Sequence, residues 1–234
     1  AGISHALMAI AAAKHVVMVN VEADVLAGPA LAAEAAAKGC VYSLAYGDQP
    51  ALVCELVDTL RTGGFPIVCA GKGTRFQPAY HASTPATVWD FYGLTAEQAA
   101  AGGMNPKMFN SFLDGTKSGI EMAAISNATG LSVPEDGLQF PPAGTSDLPS
   151  ILRPRDEGGW LAKKGMVEVV ASERRDGSRI PDTIRFGVFA VLEGDTDYVR
   201  RCFTEYGVAT DSSGRYAALW RPYHFIGLEL GVSV

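Results

Sequence analysis

Short apolar runs rich in β-branched residues alternate with helical segments over the first 70 residues, and this alternation constrains the fold more than any other feature. The apolar runs span residues 14–20, 40–46 and 65–70, and the helical segments between them span 28–39 and 51–62. Strands that alternate with helices are typical of a parallel sheet with right-handed crossovers. Because three strands make a small sheet, the pattern predicts the second half of a doubly wound parallel α/β sheet.

The pattern of apolar runs and helical segments changes after residue 70, and the new pattern predicts a second unit of the α+β class. Its recognisable segments are a loop-rich stretch at 71–107, a helix at 118–129, a further helix at 197–206 and β-rich runs at 165–172, 183–193 and 214–220. Asp176-Gly177 offers a turn between the first two of these runs. We therefore expect a mixed or antiparallel sheet in this part of the chain, and its apolar face would suit a homodimer.

Composition excludes several classes of protein. The chain of 234 residues is 48% hydrophobic and 19% charged, which excludes a disordered chain. Its net charge of −6, without a block of Lys and Arg, argues against nucleic acid as a partner. No apolar run approaches the length of a membrane-spanning helix. The four cysteines lack C-x-x-C spacing, so we expect reduced thiols, a cytoplasmic protein and a small molecule as the partner.

Both ends of the sequence fall within apolar segments. The chain starts in a helix-like stretch without Met and ends inside the apolar run 225–234. Folded domains rarely start and stop inside a buried element, because its neighbours would then be uncovered. We expect the sequence to be a piece of a longer polypeptide.

Asp114, Lys117 and Glu121 are the strongest candidates for catalysis. They lie within eight consecutive residues of otherwise apolar sequence, and a helix that begins near Thr116 puts Lys117 and Glu121 on one face. Charges in an apolar segment are costly unless they are paired or used. A buried lysine also has a lowered pKa, which suits proton transfer to or from an oxygen. The alternative is an Asp that caps the helix beside an exposed Lys–Glu pair.

Polar residues also follow the first two predicted strands, where open α/β sheets place the groups that contact ligands. Asn20 and Glu22 follow the first strand, and Asp48 follows the second. Each has an ordinary alternative as a turn residue or a helix cap. Near the end of the chain, Arg221-Pro-Tyr-His224 brings a cation, an aromatic ring and an imidazole to the entry of an apolar segment.

Gly71-Lys-Gly-Thr74 has the composition of a loop that cradles phosphate, because small residues let backbone N–H groups approach an anion. It lacks the full G-x-x-x-x-G-K-[ST] pattern of a phosphate-binding loop. Lys72 is the group there that we expect to meet an anionic substrate. The sequence has no H-x-x-x-H or H-x-x-E cluster, and we predict no metal site.

Several stretches together resemble the homoserine dehydrogenase-like oxidoreductases. The chain is most similar to the bacterial branch in which a nucleotide domain precedes the catalytic domain and a small SAF domain follows it. The stretches that carry this resemblance are residues 13–24, 42–50, 110–117, 121–130 and 221–231. They cover most of the chain and are specific in combination rather than singly.

The resemblance implies a division into three parts. Residues 1–70 would be the second half of a Rossmann-type domain that binds NAD or NADP, 71–220 the catalytic, substrate-binding and dimerisation domain, and 221–234 a segment returning to the nucleotide domain. The glycine fingerprint for the pyrophosphate would lie before Ala1. Hydride would pass between the nicotinamide and a small polar hydroxy or keto substrate.

The resemblance also implies roles for single residues. Asp114 and Lys117 match the catalytic pair of the family, with Glu121 beside them. The residues expected to contact the cofactor are Asn20, Glu22, Pro222 and Tyr223. The residues expected to contact the substrate are Asp48, Lys72, Asn110 and His224.

One departure leaves the substrate open. Homoserine dehydrogenases carry a lysine directly after the strand-end asparagine, whereas here Val21 follows Asn20. One alternative is an enzyme similar to the reductoisomerase that acts on deoxyxylulose phosphate in the synthesis of isoprenoid precursors, which alone would need a divalent metal. Another is a nucleotide-sensing or assembly module that has lost catalysis.

Overall fold

The computed structural model describes residues 2–225, and this part of the chain holds nine α-helices and seven β-strands. The helices are α1 (Gly2–Ala11), α2 (Val21–Ala37), α3 (Gln49–Thr62), α4 (Val88–Tyr92), α5 (Ala96–Ala101), α6 (Pro106–Leu113), α7 (Thr116–Thr129), α8 (Leu148–Ile151) and α9 (Asp197–Glu205). The strands are β1 (Val16–Met18), β2 (Tyr42–Leu44), β3 (Ile67–Thr74), β4 (Met166–Ala171), β5 (Val188–Glu193), β6 (Ala209–Thr210) and β7 (Tyr216–Arg221). Within the described residues, no helix combines the length and apolar character needed to cross a membrane.

The main sheet has five strands in the order β4-β3-β5-β7-β6. Strands β3 and β4 run parallel, and the other neighbours pair antiparallel. The expected mixed sheet is therefore confirmed. Apolar clusters cover both of its faces: one draws on α3, α7 and α9, and the other on α8 and the loop that follows it. Burial on both faces explains why β3, β4 and β5 read as continuous apolar runs in the sequence.

The expected alternation of helices and parallel strands is confirmed for the first two strands. Strand β1 pairs with β2 in parallel, with Val17 opposite Ser43, and α2 connects them. The prediction that the third apolar run joins the same sheet is wrong, because β3 lies between β4 and β5 in the main sheet. The division expected at residue 70 falls inside this strand. The apolar run predicted a buried strand correctly, but its partners lie about 100 residues away along the chain.

Helix α2 begins earlier than the sequence predicts. It starts at Val21 instead of residue 28 and contains Pro29 in its interior. Proline lacks the N–H that would bond to the carbonyl four residues earlier, which is that of Val25. The side-chain amide of Asn127 on α7 donates to this carbonyl at 3.2 Å and replaces the missing bond. The contact between the two helices therefore makes the proline tolerable.

The turn at Asp176-Gly177 forms, but it does not pair the two runs that flank it. The Arg174 N–H donates to the Ser178 carbonyl at 2.8 Å, as expected for a tight turn. Strands β4 and β5 are nevertheless separated by β3. An Asp-Gly turn determines only the local reversal of the chain. Strands β4 and β5, on either side of this turn, each pair with β3 instead of with each other.

Part of the segment predicted to return to the nucleotide domain, residues 226–234, lies outside the described residues.

Candidate active site

A cleft of about 420 Å³ opens where the beginnings of α3 and α7 meet the centre of the main sheet. We call it the central cleft. Its lining consists of Asp48, Gln49, Lys72, Gly73, Thr74, Arg75, Tyr92, Phe109, Phe112, Lys117, Ser118, Glu121, Arg185, Phe186 and His224. The charged members include four cations, Lys72, Lys117, Arg75 and Arg185, against two carboxylates, so the cleft favours an anionic ligand.

Lys72 enters the central cleft from the middle of the sheet. The Gly-Lys-Gly-Thr stretch is not a phosphate loop as its composition suggested, because it forms the end of β3. Its glycines serve close packing: a Cβ at Gly71 would run into the Glu168 carbonyl, and one at Gly73 into the Ile184 carbonyl. The flanking glycines thus let neighbouring strands close around Lys72, which is only 6% exposed.

Glu121 links the two lysines of the central cleft. One of its carboxylate oxygens bonds to the Lys72 ammonium, and the other lies 3.8 Å from the Lys117 nitrogen. The i, i+4 relation of Lys117 and Glu121 on one face of α7 is therefore confirmed. Glu121 is 3% exposed and the Lys117 side chain 25% exposed, so the arrangement differs from a solvated surface pair. A single carboxylate cannot neutralise two ammonium groups. Lys117, the more exposed of the two lysines, therefore presents a positive charge at the open side of the cleft.

Asp114 and Asn110 lie at the corner between α6 and α7, outside the lining of the central cleft. The Asp114 carboxylate accepts hydrogen bonds from the Asn110 amide at 2.9 Å and from the Thr116 N–H at 2.8 Å. Gly115, with φ of 88°, turns the chain between the two helices. The Asp114 carboxylate is thus engaged at the start of α7, in agreement with the alternative of a capping Asp, and the carboxylate beside Lys117 in the cleft is that of Glu121. A catalytic role of Asp114 stays a prediction.

Asp48 joins the central cleft from the end of β2. It is the N-cap of α3, and its carboxylate accepts the Gln49 N–H at 2.8 Å. Burial is the main reason that the pKa of Asp48 is raised; the Gln49 N–H opposes the rise, and the Glu121 carboxylate adds to it. Asp48 is therefore a helix cap that also lines the central cleft, and its contact with a ligand stays a prediction.

Among the four cations of the central cleft, Arg185 is the one whose charge is least balanced by a carboxylate. It has no ion pair with a carboxylate among residues 2–225, whereas Arg75 bonds to Glu173 at 2.9 Å. Burial lowers the pKa of Arg185, and the charge of Arg75 lowers it further. Both arginines also line an adjoining space of about 710 Å³ together with Arg179. We call this space the arginine chamber.

His224, Pro222 and Tyr223 lie at the edge of these two spaces. Nδ1 of His224 lies 2.8 Å from the Phe186 carbonyl, and the backbone N–H of His224 donates to the same oxygen at 3.0 Å. His224 lines the central cleft, and Pro222 and Tyr223 line the arginine chamber. The structure therefore brings Asp48, Lys72 and His224 together in one cleft with Lys117 and Glu121.

Asn20 and Glu22 lie away from the central cleft, at the carboxyl end of β1. The Asn20 amide donates to the Glu22 carboxylate at 2.8 Å, and both residues are exposed. Both lie on the side of the molecule formed by the two-stranded sheet. Their expected contact with a cofactor stays a prediction.

Sequence reasoning missed Arg75, Arg185 and Tyr92 as residues of the site. No local motif marks them, since they come from three separate segments. A signal was available for Arg185, which is a charged residue near the start of an apolar run.

Across residues 2–225 there is no group of three or more His, Cys, Asp or Glu side chains that could hold a metal ion.

The chain matches one known protein family. The family described as "Oxidoreductase DRL, catalytic domain" matches residues 47–230, a range that contains every residue lining the central cleft. Among curated proteins, none matches the chain.

Proposed function

Because the chain belongs to the family of the oxidoreductase DRL catalytic domain, whose chemistry is redox chemistry, we propose that it is an NAD(P)-dependent oxidoreductase. Its substrate would be a small polar compound with a hydroxyl or a carbonyl group and an anionic group. The resemblance to homoserine dehydrogenase-like enzymes supports the cofactor, and the charges of the central cleft support the substrate.

The observation that carries the proposal is the pairing of Lys117 with the buried Glu121. A carbonyl that is being reduced gains negative charge on its oxygen, and a positioned cation lowers the energy of that state. Glu121 holds the Lys117 ammonium at one carboxylate oxygen while the other is occupied by Lys72. Lys117 would therefore donate a proton to the substrate oxygen during reduction and accept it during oxidation.

The residues at the carboxyl end of the two-stranded sheet fit the nicotinamide end of the cofactor. Open α/β sheets bind nucleotides at this edge, and Asp48 connects the edge directly to the central cleft. Asn20 and Glu22 present exposed polar groups there and would hold the cofactor. When bound, the nicotinamide would supply or accept the hydride. The chain's own contribution is to orient the substrate and to handle the proton at Lys117.

The arginines support an anionic substrate group. A half-buried guanidinium without a carboxylate partner is costly unless a ligand compensates it. Arg185 has this character, and Arg75 and Arg179 flank the adjoining arginine chamber. Arginine forms bidentate hydrogen bonds with phosphate and carboxylate groups. An anionic end of the substrate would lie on Arg185 while its reacting carbon lies near Lys117.

The reductoisomerase alternative shares this anionic substrate but also needs a divalent metal. The carboxylates of the central cleft do not fit a metal well, because Glu121 is already shared by two ammonium groups and Asp48 accepts a backbone N–H. Direct hydride transfer without a metal ion is therefore the function that we propose.

The test is a spectrophotometric assay of NADH and NADPH oxidation with a panel of aldehydes, ketones and keto sugar phosphates. Deoxyxylulose phosphate is included, and each reaction is run with and without Mg²⁺. Turnover that is independent of metal supports the proposal. Turnover only with Mg²⁺ and deoxyxylulose phosphate would replace it by the reductoisomerase alternative. Cofactor binding without any turnover would indicate the inactive module.

A further inference from the structure

His224 is held in a single orientation by one carbonyl group. Its backbone N–H and its ring nitrogen Nδ1 both contact the Phe186 carbonyl oxygen, at 3.0 and 2.8 Å. Two contacts from one residue to the same oxygen fix the rotation of the ring as well as the path of the backbone. Residues 186 and 223 also form a parallel bridge, which secures the segment on either side.

The acceptor decides which nitrogen carries the proton in the neutral ring. A carbonyl oxygen can only accept, so Nδ1 must donate its N–H to Phe186. In the neutral imidazole the other nitrogen, Nε2, then carries a lone pair and can only accept. Nε2 has no hydrogen-bond partner among residues 2–225, and the residue lines the central cleft.

Most of the other polar groups of the central cleft are donors or are already engaged. Lys117 and Arg185 donate only. The Glu121 carboxylate is occupied by two lysines, and the Asp48 carboxylate accepts a backbone N–H. His224 is half-buried, and Nε2 is a free acceptor beside these donors that can accept a hydrogen bond from a ligand hydroxyl. An analogue without the hydroxyl cannot form that hydrogen bond and binds more weakly.

We infer that His224 selects hydroxy-carbonyl substrates by accepting a hydrogen bond from a substrate hydroxyl at Nε2. This inference rests on the proposed function, in which Lys117 binds the reacting oxygen and Arg185 the anionic group. His224 adds a third point of recognition and is a specificity-determining residue. Simple anionic ketones without the hydroxyl bind more weakly for this reason.

Two probes that differ by one hydroxyl test the inference. Dihydroxyacetone phosphate carries the hydroxyl, and hydroxyacetone phosphate lacks it; both have the carbonyl and the phosphate. We expect calorimetry on the wild-type protein to show about tenfold tighter binding of dihydroxyacetone phosphate, the factor that a hydrogen bond of this kind gives. Equal affinity for the two probes, or binding of neither, overturns the inference.

Two substitutions separate recognition from a structural role. In His224→Asn the amide nitrogen can still donate to the Phe186 carbonyl, but the Nε2 acceptor is lost. In His224→Gln the side-chain oxygen can reach the position of Nε2, but the donor to Phe186 is lost. We expect the Asn variant to bind both probes equally and the Gln variant to retain part of the preference. The opposite ranking would show that His224 acts only through Phe186.

Nitrogen NMR of the histidine ring provides a readout that does not depend on turnover. We expect the resonance of Nδ1 to be that of a protonated nitrogen and the resonance of Nε2 to be that of an unprotonated one, with a change at Nε2 when dihydroxyacetone phosphate binds. A protonated Nε2 in the neutral ring overturns the inference. Neither measurement uses a nicotinamide cofactor, so either can fail while the proposed redox function stands.

Discussion

The main sheet and the two-stranded sheet use similar apolar sequences but bury them differently. Strands β3, β4 and β5 are covered on both faces, and nearly all of their residues are buried. Strands β1 and β2 are mostly half-buried, and Leu7, Met8, Leu26 and Val41 around them are exposed. We call residues 2–46 the small layer. The same kind of local sequence thus gives a packed centre in one region and a thin layer in the other.

This difference in burial coincides with the location of the candidate catalytic residues. Lys72 comes from the centre of β3, and Lys117 and Glu121 come from α7, which packs against the main sheet. The groups to which our proposal gives the proton transfer therefore lie on the part of the molecule that can hold them rigidly. The small layer supplies the polar residues Asn20 and Glu22, and in our proposal it meets the cofactor. The following predictions test whether the two regions differ as the structure indicates.

A matched pair of glycine substitutions should show the largest difference. A Cβ at Gly71 would collide with the backbone carbonyl of Glu168, so Gly71→Ala should lower the free energy of unfolding by at least about 3 kcal/mol. Gly39 in the small layer has a φ of 68° but no atom close to the position of a Cβ. Gly39→Ala should cost only about 1–2 kcal/mol of backbone strain. Urea denaturation measures both, and equal losses would contradict the contrast in packing.

Asp211, beside β7, should show the next largest effect. Burial alone would raise the pKa of Asp211, but hydrogen bonds from the Tyr216 N–H and from Ser213, together with Arg153, lower it below its usual value. A lowered pKa means that the ionised group stabilises the fold at neutral pH and loses this effect as the pH falls through the folded-state pKa. Asp211→Asn should cost about 2 kcal/mol at pH 7. In chemical denaturation at several pH values, this loss should shrink in acid; a loss that does not depend on pH would contradict the assignment.

For Asp48 in the central cleft, ionisation should change the stability of the fold in the opposite direction from Asp211. Its pKa is raised, mainly by burial, so the native state binds the proton more tightly than the unfolded state does. Ionisation of Asp48 therefore costs stability, and the cost grows as the pH rises from the unfolded-state pKa through the folded-state pKa. Asp48→Asn keeps a good helix cap and should stabilise the protein at pH 7 by about 0.5 kcal/mol. The same denaturation series should show no gain in strong acid, and a loss of stability at pH 7 would argue that the carboxylate is needed for the fold.

Asn20 should show the smallest effect on folding. Its side chain bonds only to the exposed Glu22 among the described residues, so Asn20→Ala should change the free energy of unfolding by less than about 0.5 kcal/mol. If the small layer holds the nicotinamide end of the cofactor, the same variant should weaken binding of NADH or NADPH about 2–10-fold, the range of one hydrogen bond. Fluorescence titration of the cofactor measures this change. Unchanged affinity would remove Asn20 from the cofactor site.

Some of these features could be read from the sequence because they depend on local spacing. The i, i+4 relation of Lys117 and Glu121 follows from the helix period, and Asp48 as a cap follows from its place before an amphipathic helix. The two parallel strands and the mixed sheet follow from apolar runs and their spacing.

Other features depend on contacts between distant segments. Lys72 and Glu121 are 49 residues apart, and only the position of α7 on β3 brings them together. The same local pattern that predicted a third strand could not show that its partners are β4 and β5. Asp114 also shows a limit: the spacing placed it near Lys117, but whether its carboxylate faced the cleft or the helix corner depended on Asn110 and Gly115.

The most direct test of the central claim compares Lys117→Ala with Lys107→Ala, a control on the exposed surface of α6. The measurement is the rate of NADH or NADPH oxidation with the substrate found in the panel, together with the Kd of the cofactor. Loss of one donor to a developing oxyanion costs about 2.7–4 kcal/mol, so Lys117→Ala should lower kcat about a hundredfold or more with nearly unchanged cofactor affinity, and Lys107→Ala should match the wild type. A Lys117→Ala variant that turns over like the wild type would contradict the account.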